Sequence, residues 1–228
     1  MSVPMHLEFV PAPDIDSQLS ARLGQALIRE GFEMLSPRAY VRSRASEFRD
    51  LVRVLPLKGA AYSTAWGFSL GFVPHLSGDS LRWHRTARAA RFDLRYDPID
   101  YLHPDSPEFR TWLISGLYGL GRTEQDIDRV TAKTMKEIGP FFGQVRTCND
   151  LVLSFERQES KRAVRFDFCS YPEHPLAYAF TLASVGRLEE ALVQFDRFVK
   201  RREPPIAIRP RLEELIRDLA TGTSENRA

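Results

Sequence analysis

Cysteine is scarce in this chain: only Cys148 and Cys169 occur among 228 residues. Neither sits in a Cys-x-x-Cys pair or has a histidine at ligand spacing, which argues against structural zinc and for a reducing compartment. No Gly-x-x-x-x-Gly-Lys and no Gly-x-Gly-x-x-Gly run is present, so there is no phosphate loop and no dinucleotide fingerprint. The histidines are His6, His75, His84, His103 and His174, and no two of them stand at the i, i+4 spacing of a helical metal site. Long apolar runs are also missing. The longest, residues 112–120, is broken by Ser115, Gly116 and Gly119 and is far too short to cross a bilayer. Pro4 and Glu8 stand where a signal peptide would carry its apolar stretch. Charge of neither sign is in excess: 32 basic and 30 acidic side chains leave a net +2, so the surface as a whole is not built for a polyanion. These absences point to a cytoplasmic protein with no membrane span, no metal and no cofactor.

What is present is a strand of unusual two-sidedness. Over residues 64–74, Trp66, Phe68, Leu70 and Phe72 fall on one face at period two, while Ala65, Gly67, Ser69 and Gly71 fall on the other. The large face belongs on a core. The bare face lets a helix, a ligand or another chain approach the backbone, and it is expected to be a docking ground.

Around this strand the chain divides into four stretches. Residues 1–13, with three prolines, read as an extended arm, with Leu7 and Phe9 placed to pair onto a sheet edge. Residues 14–160 read as the α+β domain. A helix capped by Asp14 or Asp16 carries Ile15, Leu19, Leu23 and Leu27 and ends at Gly31. Strands follow at 39–44, 48–57, 64–74 and 91–96, the last with Phe92, Leu94 and Tyr96 inward and Arg91, Asp93 and Arg95 outward. Helices are predicted at 107–120, at 124–138 (capped by Thr123 and stopped by Gly139-Pro140) and at 149–157. Four neighbouring strands with short links predict an antiparallel meander of four or five strands covered by helices. Val164, Phe166 and Phe168 alternate and suggest one more short strand. Residues 161–220 read as a helical C-terminal region: two short helices joined at Gly186-Arg187, then a helix with Leu212, Leu215, Ile216 and Leu219. Residues 221–228 read as a tail.

Two motifs bear on chemistry. Gly67-Phe-Ser-Leu-Gly71 matches the Gly-x-Ser-x-Gly nucleophile elbow, which requires the serine on a sharp strand-to-helix turn. Here the pentapeptide lies inside a strand, so Ser69 reads as a contact residue, not a nucleophile. The basic stretch 82–91 holds Arg82, Trp83, His84, Arg85, Arg88 and Arg91, and its arginine forks around a tryptophan suit an anion or nucleic acid. The competing account is a solvated loop anchored by Trp83, its arginines paired with Asp97, Asp100, Asp105 and Glu108. His75 and His84 meet if this loop doubles back. A second basic run, residues 197–202, is explained by the dipole at a helix C-terminus.

Gly186-Arg-Leu-Glu-Glu-Ala-Leu-x-x-Phe195 resembles one tetratricopeptide unit, with Gly186, Ala191 and Phe195 at its turn glycine, small and aromatic positions. A single copy cannot bury both faces alone, so it is expected to pack on the sheet domain or on the last helix. Glu30-Gly31-Phe32, the arginine-studded strand 40–44, the strand 68–74 and Pro140-Phe141-Phe142 together resemble a bacterial family built on a domain of unknown function. That resemblance covers about residues 14–155 and implies an α+β fold without assigning a catalytic residue. The expectation is therefore a binding protein of adaptor, accessory or immunity type whose partner is another protein. The surfaces expected to carry binding are Ser69 with its face, His75, Arg82, Trp83, His84, Arg85, Arg88 and Arg91. The alternative is a nucleic-acid or phosphate-ligand binding protein, or a hydrolase, using residues 82–91.

Overall fold

Period-two alternation is cleanest in two neighbouring stretches, and they form the longest pair of strands. Phe48–Leu57 and Ala61–Leu70 run antiparallel in unbroken register, from Phe48 opposite Leu70 to Leu57 opposite Ala61. Gly59, at φ +76°, turns the chain between them. The computed structural model describes residues 7–44, 47–160 and 174–222. Its strands are β1 (Glu33–Ser36), β2 (Ala39–Ser43), β3 (Phe48–Leu57), β4 (Ala61–Leu70), β5 (Pro74–Ser77), β6 (Ser80–Trp83), β7 (Leu94–Tyr96) and β8 (Ile114–Ser115). One antiparallel sheet runs in the order β1-β2-β3-β4-β7, with β8 on the first residues of β4, while β5 and β6 form a separate hairpin. The fold is α+β, an antiparallel sheet with helices and a helical C-terminal region.

Helix α1 (Ala12–Leu19) continues through a π-helical turn, Ser20–Gly24, into α2 (Gln25–Arg29). Ile15, Leu19, Leu23 and Leu27 are all fully buried and join one core with Tyr40, Val52, Trp66 and Phe68 of the sheet. The long helix α4 (Leu120–Gly143) adds Ile127, Val130 and Ile138 to it. On the other side of the sheet Val41, Leu51 and Ala65 pack against Ala90 and Phe92 in a smaller cluster.

This second cluster corrects the expectation that the bare face of β4 is a docking ground: the chain's own residues 87–95 cover it. Ser69 is fully buried, and a Cβ placed on Gly67 would lie 1.9 Å from the carbonyl oxygen of Leu94. The glycine is what lets β7 lie this close.

Other expectations are revised too. The helix after the arm begins at Ala12 behind Pro11, and neither Asp14 nor Asp16 caps it; Asp16 pairs instead with Arg38 at 2.5 Å. Leu7 and Phe9 are two-thirds exposed while Glu8, between them, bridges to Tyr118. β1, at Glu33–Ser36, is a strand additional to those expected from the alternation. β4 ends at Leu70 instead of running to Pro74, which opens β5. The 107–120 helix is a single turn, α3 (Pro107–Arg110), before β8 takes over; Ser115 and Gly116 fit an edge contact with Ala60 and Ala61 better than a helix interior. Thr123 lies within α4, and Pro140 does not stop that helix. Its missing N–H falls on the exposed side of the helix, where water can serve the freed carbonyl, while Phe141 and Phe142 on the following residues are held by the core.

The C-terminal helices are α5 (Cys148–Ser160), α6 (His174–Ser184), α7 (Leu188–Arg202) and α8 (Arg209–Thr221). Every residue of α6 from His174 to Ala183 is buried, as expected of a helix apolar on all sides. Gly186, at φ +79°, makes the α6–α7 turn. The strand suggested at Val164, Phe166 and Phe168, and Cys169, lie outside the described residues.

His174 stands with its ring edge-on to Phe155 at 4.9 Å, and its Nε2 is 3.1 Å from Gln158 Oε1. Burial, helped by the charge of Arg201, lowers its pKa from 6.5 to about 4. A histidine lowered in the folded state leaves the unfolded chain binding more protons between these values, so stability falls as pH drops from 6.5 towards 4. At roughly 1.4 kcal/mol per pH unit the loss reaches about 3 kcal/mol. Urea unfolding of wild type and His174→Leu should show a smaller difference between pH 7 and pH 4.5 in the variant. In the same assay Gly67→Ala should cost about 1–3 kcal/mol or more. Gly121→Ala, in α4 with nothing within 4 Å of its added Cβ, should be neutral or stabilise by up to about 1 kcal/mol.

Candidate functional site

The residues expected to carry binding come together only in part. β5 and β6 pair Pro74 with Trp83 and His75 with Arg82, a hairpin that doubles the chain back and brings His75 beside His84. Their Nδ1 atoms are 3.3 Å apart. His84 Nε2 is 2.7 Å from Asp93 Oδ2, and that oxygen also accepts the Leu70 backbone N–H at 2.6 Å. His84 is fully buried and Asp93 nearly so; Asp93, expected to face outward, is corrected to an inward position, where the otherwise unpaired Leu70 amide and the His84 ring satisfy it.

With Asp93 ionised, His84 Nε2 donates to it, His84 Nδ1 accepts from His75 Nδ1–H, and His75 Nε2 is left with a lone pair. Burial raises the Asp93 pKa, opposed by the bonds from His84 and Leu70. His75 is lowered to about 4 by burial first, then by Arg91, His84 and Arg82, so its ring is neutral at pH 7.

The other members of the set lie around this chain of bonds. Ser69 Oγ accepts the Arg91 backbone N–H at 3.4 Å from mid-strand, with no sharp turn beneath it. Arg85 lies over the Trp83 ring at 4.7 Å, and Arg82, Arg85 and Arg88 are exposed. The loop is held from below by Arg49, whose guanidinium donates to the carbonyls of His84 and Arg85. Among the predicted acidic partners, Asp100 pairs with Arg95 at 3.2 Å.

A cleft lies elsewhere, between the sheet, α4 and α5. Its volume is about 260 Å³, and it is lined by Trp66, Tyr96, Tyr101, Glu137, Phe141 and Arg157 among others. The register of β4 and β7 sets Trp66 opposite Tyr96, with ring centroids 5.2 Å apart at 45°. Tyr101 stacks on Tyr96 at 5.2 Å from a 3-10 turn, Pro98–Tyr101, capped by Asp97. Phe141 stands at 81° to Trp66 and 37° to Tyr96, and Glu137 sits one helical turn before it on the exposed side of α4. From α5, Arg157 donates to Gln144 Oε1 at 3.1 Å, and Gln158 donates to the Arg95 carbonyl. Trp66 is 1% exposed, and its Nε1 has no hydrogen-bond partner among the described residues. A buried donor left in that state costs about 1–3 kcal/mol.

Sequence reasoning assigned Trp66 and Tyr96 to the core and did not single out Tyr101, Glu137 or Arg157. The one signal available was aromatic density at Phe141-Phe142 directly after a Gly-Pro. Nothing in the sequence places that pair against Tyr96.

The histidine chain ties the hairpin to the sheet. Asp93→Asn should therefore speed amide hydrogen exchange in residues 74–84 while leaving α6 to α8 unchanged, read by mass spectrometry. Compared with known proteins, the chain matches no family model, no curated protein and no solved structure.

Proposed function

We propose that the protein acts by binding and not by catalysis, as an accessory or adaptor protein of the cytoplasm, and that the aromatic cleft anchors one side chain of a partner protein. The observation that carries this reading is the cleft itself: Trp66, Tyr96, Tyr101 and Phe141 line it from four different elements, with Glu137, Gln144, Arg157 and Gln158 among them. Its roughly 260 Å³ is below the usual size of a pocket for a drug-sized ligand and suits a single anchoring side chain. Such anchors in well-packed pockets supply most of the energy of many interfaces.

A second reading has its own observation. A neutral His75 opposite Arg82, backed by His84 and Asp93, offers a base beside cations, as an anion-directed site would require. No comparable cleft is described around it, so the reading ranks second.

Affinity capture from host extract separates the two. Tyr101→Ala or Glu137→Arg should abolish retention of the partner, while Arg82→Ala with Arg85→Ala should leave it intact. The opposite result, or salt-dependent oligonucleotide binding that the arginine variants abolish, moves function to the basic loop.

A further inference from the structure

The charges and ring orientations around the cleft narrow what its occupant can be. Trp66, Tyr96 and Phe141 are mutually tilted, with centroids 5.2–6.4 Å apart, so they touch one another and leave no parallel slot into which a flat ring could slide. Tyr96, Tyr101 and Phe141 are half-buried and line the cleft, and ring faces are the negative part of an aromatic side chain. Burial first, then the charges of Glu137, Asp97 and Glu108, raise the pKa of the Tyr96 hydroxyl. Glu137 lies on the exposed side of α4, and no ion pair is described for it. The lining itself holds one carboxylate, Glu137, and one cation, Arg157, whose guanidinium is engaged by Gln144 Oε1.

We propose that the cleft recognises an ammonium head group, held over the faces of Tyr96, Tyr101 and Phe141 with Glu137 as its counter-charge. A compact cation can lie against several tilted rings at once, and each face within about 6 Å attracts it, more strongly once water is excluded. Neutral and anionic groups gain nothing from this field. The inference rests on the cleft being the binding site and adds the charge of what enters. The same head group occurs on a lysine or methyl-lysine side chain of a protein and on a free quaternary amine, and both sources belong in the test.

The probes are choline with its uncharged tert-butyl isostere, and Nα-acetyl-trimethyl-lysine amide with its norleucine counterpart. They are titrated while following the Trp66 indole N–H signal by NMR. The charged member of each pair should bind at least about tenfold more tightly than its isostere. Glu137→Gln should weaken the charged probes about threefold to tenfold and leave the isosteres unchanged. The tighter of choline and the lysine probe identifies the source. Equal binding of charged and uncharged members overturns the ammonium inference while leaving the cleft as a binding site. No movement of the Trp66 signal with any probe overturns both. Glu137 is exposed, so its variant is expected to fold, and an unchanged NMR spectrum elsewhere checks that.

Discussion

A buried carboxylate on the third strand fixes where the long helix ends, and the cleft follows from that. Asp50 is fully buried and receives Arg42 at 2.7 Å on one oxygen and Arg44 at 2.7 Å on the other. Arg44 then reaches across to donate to the carbonyls of Phe142 and Val145, at and just past the end of α4. Carbonyls at a helix C-terminus carry the negative end of the helix dipole, so a guanidinium is a natural donor there. Arg42 meanwhile lies over the ring of Phe32 at 4.6 Å. Burying such charges adds little net stability, since desolvation offsets most of the attraction. What the arrangement supplies is position: it holds the end of α4 on the sheet and so sets Phe141 against Trp66, Phe68 and Tyr96.

The two sides of β4 do different work. Its aromatic side forms the core and lends Trp66 to the cleft. Its small-residue side is filled by the chain itself, with β7 passing close over Gly67 and the loop before it folded onto Ser69. The absence of side chains on that face is thus satisfied intramolecularly. The histidine chain belongs to the same closure: Asp93 at the approach to β7 ties down the hairpin that carries His75 and the stretch that carries Arg82 to Arg88.

Two polar features therefore differ in consequence. Asp93, His84 and His75 answer one another and are largely internal, which suits a fastening. Glu137 has no described counterpart and lines an aromatic cleft. An unanswered group at an opening is a better indication of a ligand than a satisfied network beneath the surface.

By itself the sequence determined the elements whose pattern is local. Alternation in residues 48–57 and 64–74 specified the central pair of strands, though not where the second one ends, helical spacing of Ile15, Leu19, Leu23 and Leu27 specified the first helix, and Gly186 specified the turn between α6 and α7. Pairing partners were decided elsewhere. Pro140 stays inside a helix because Phe141 and Phe142 gain more from the core than one lost hydrogen bond costs. Residues 114–115 become a strand because the start of β4 offers them an edge. Asp93 turns inward because the Leu70 amide and the His84 ring await it. The cleft gathers residues from β4, β7, a 3-10 turn, α4 and α5, separated by up to about ninety positions. Only tertiary structure could assemble it, because no local periodicity encodes which ring will face which.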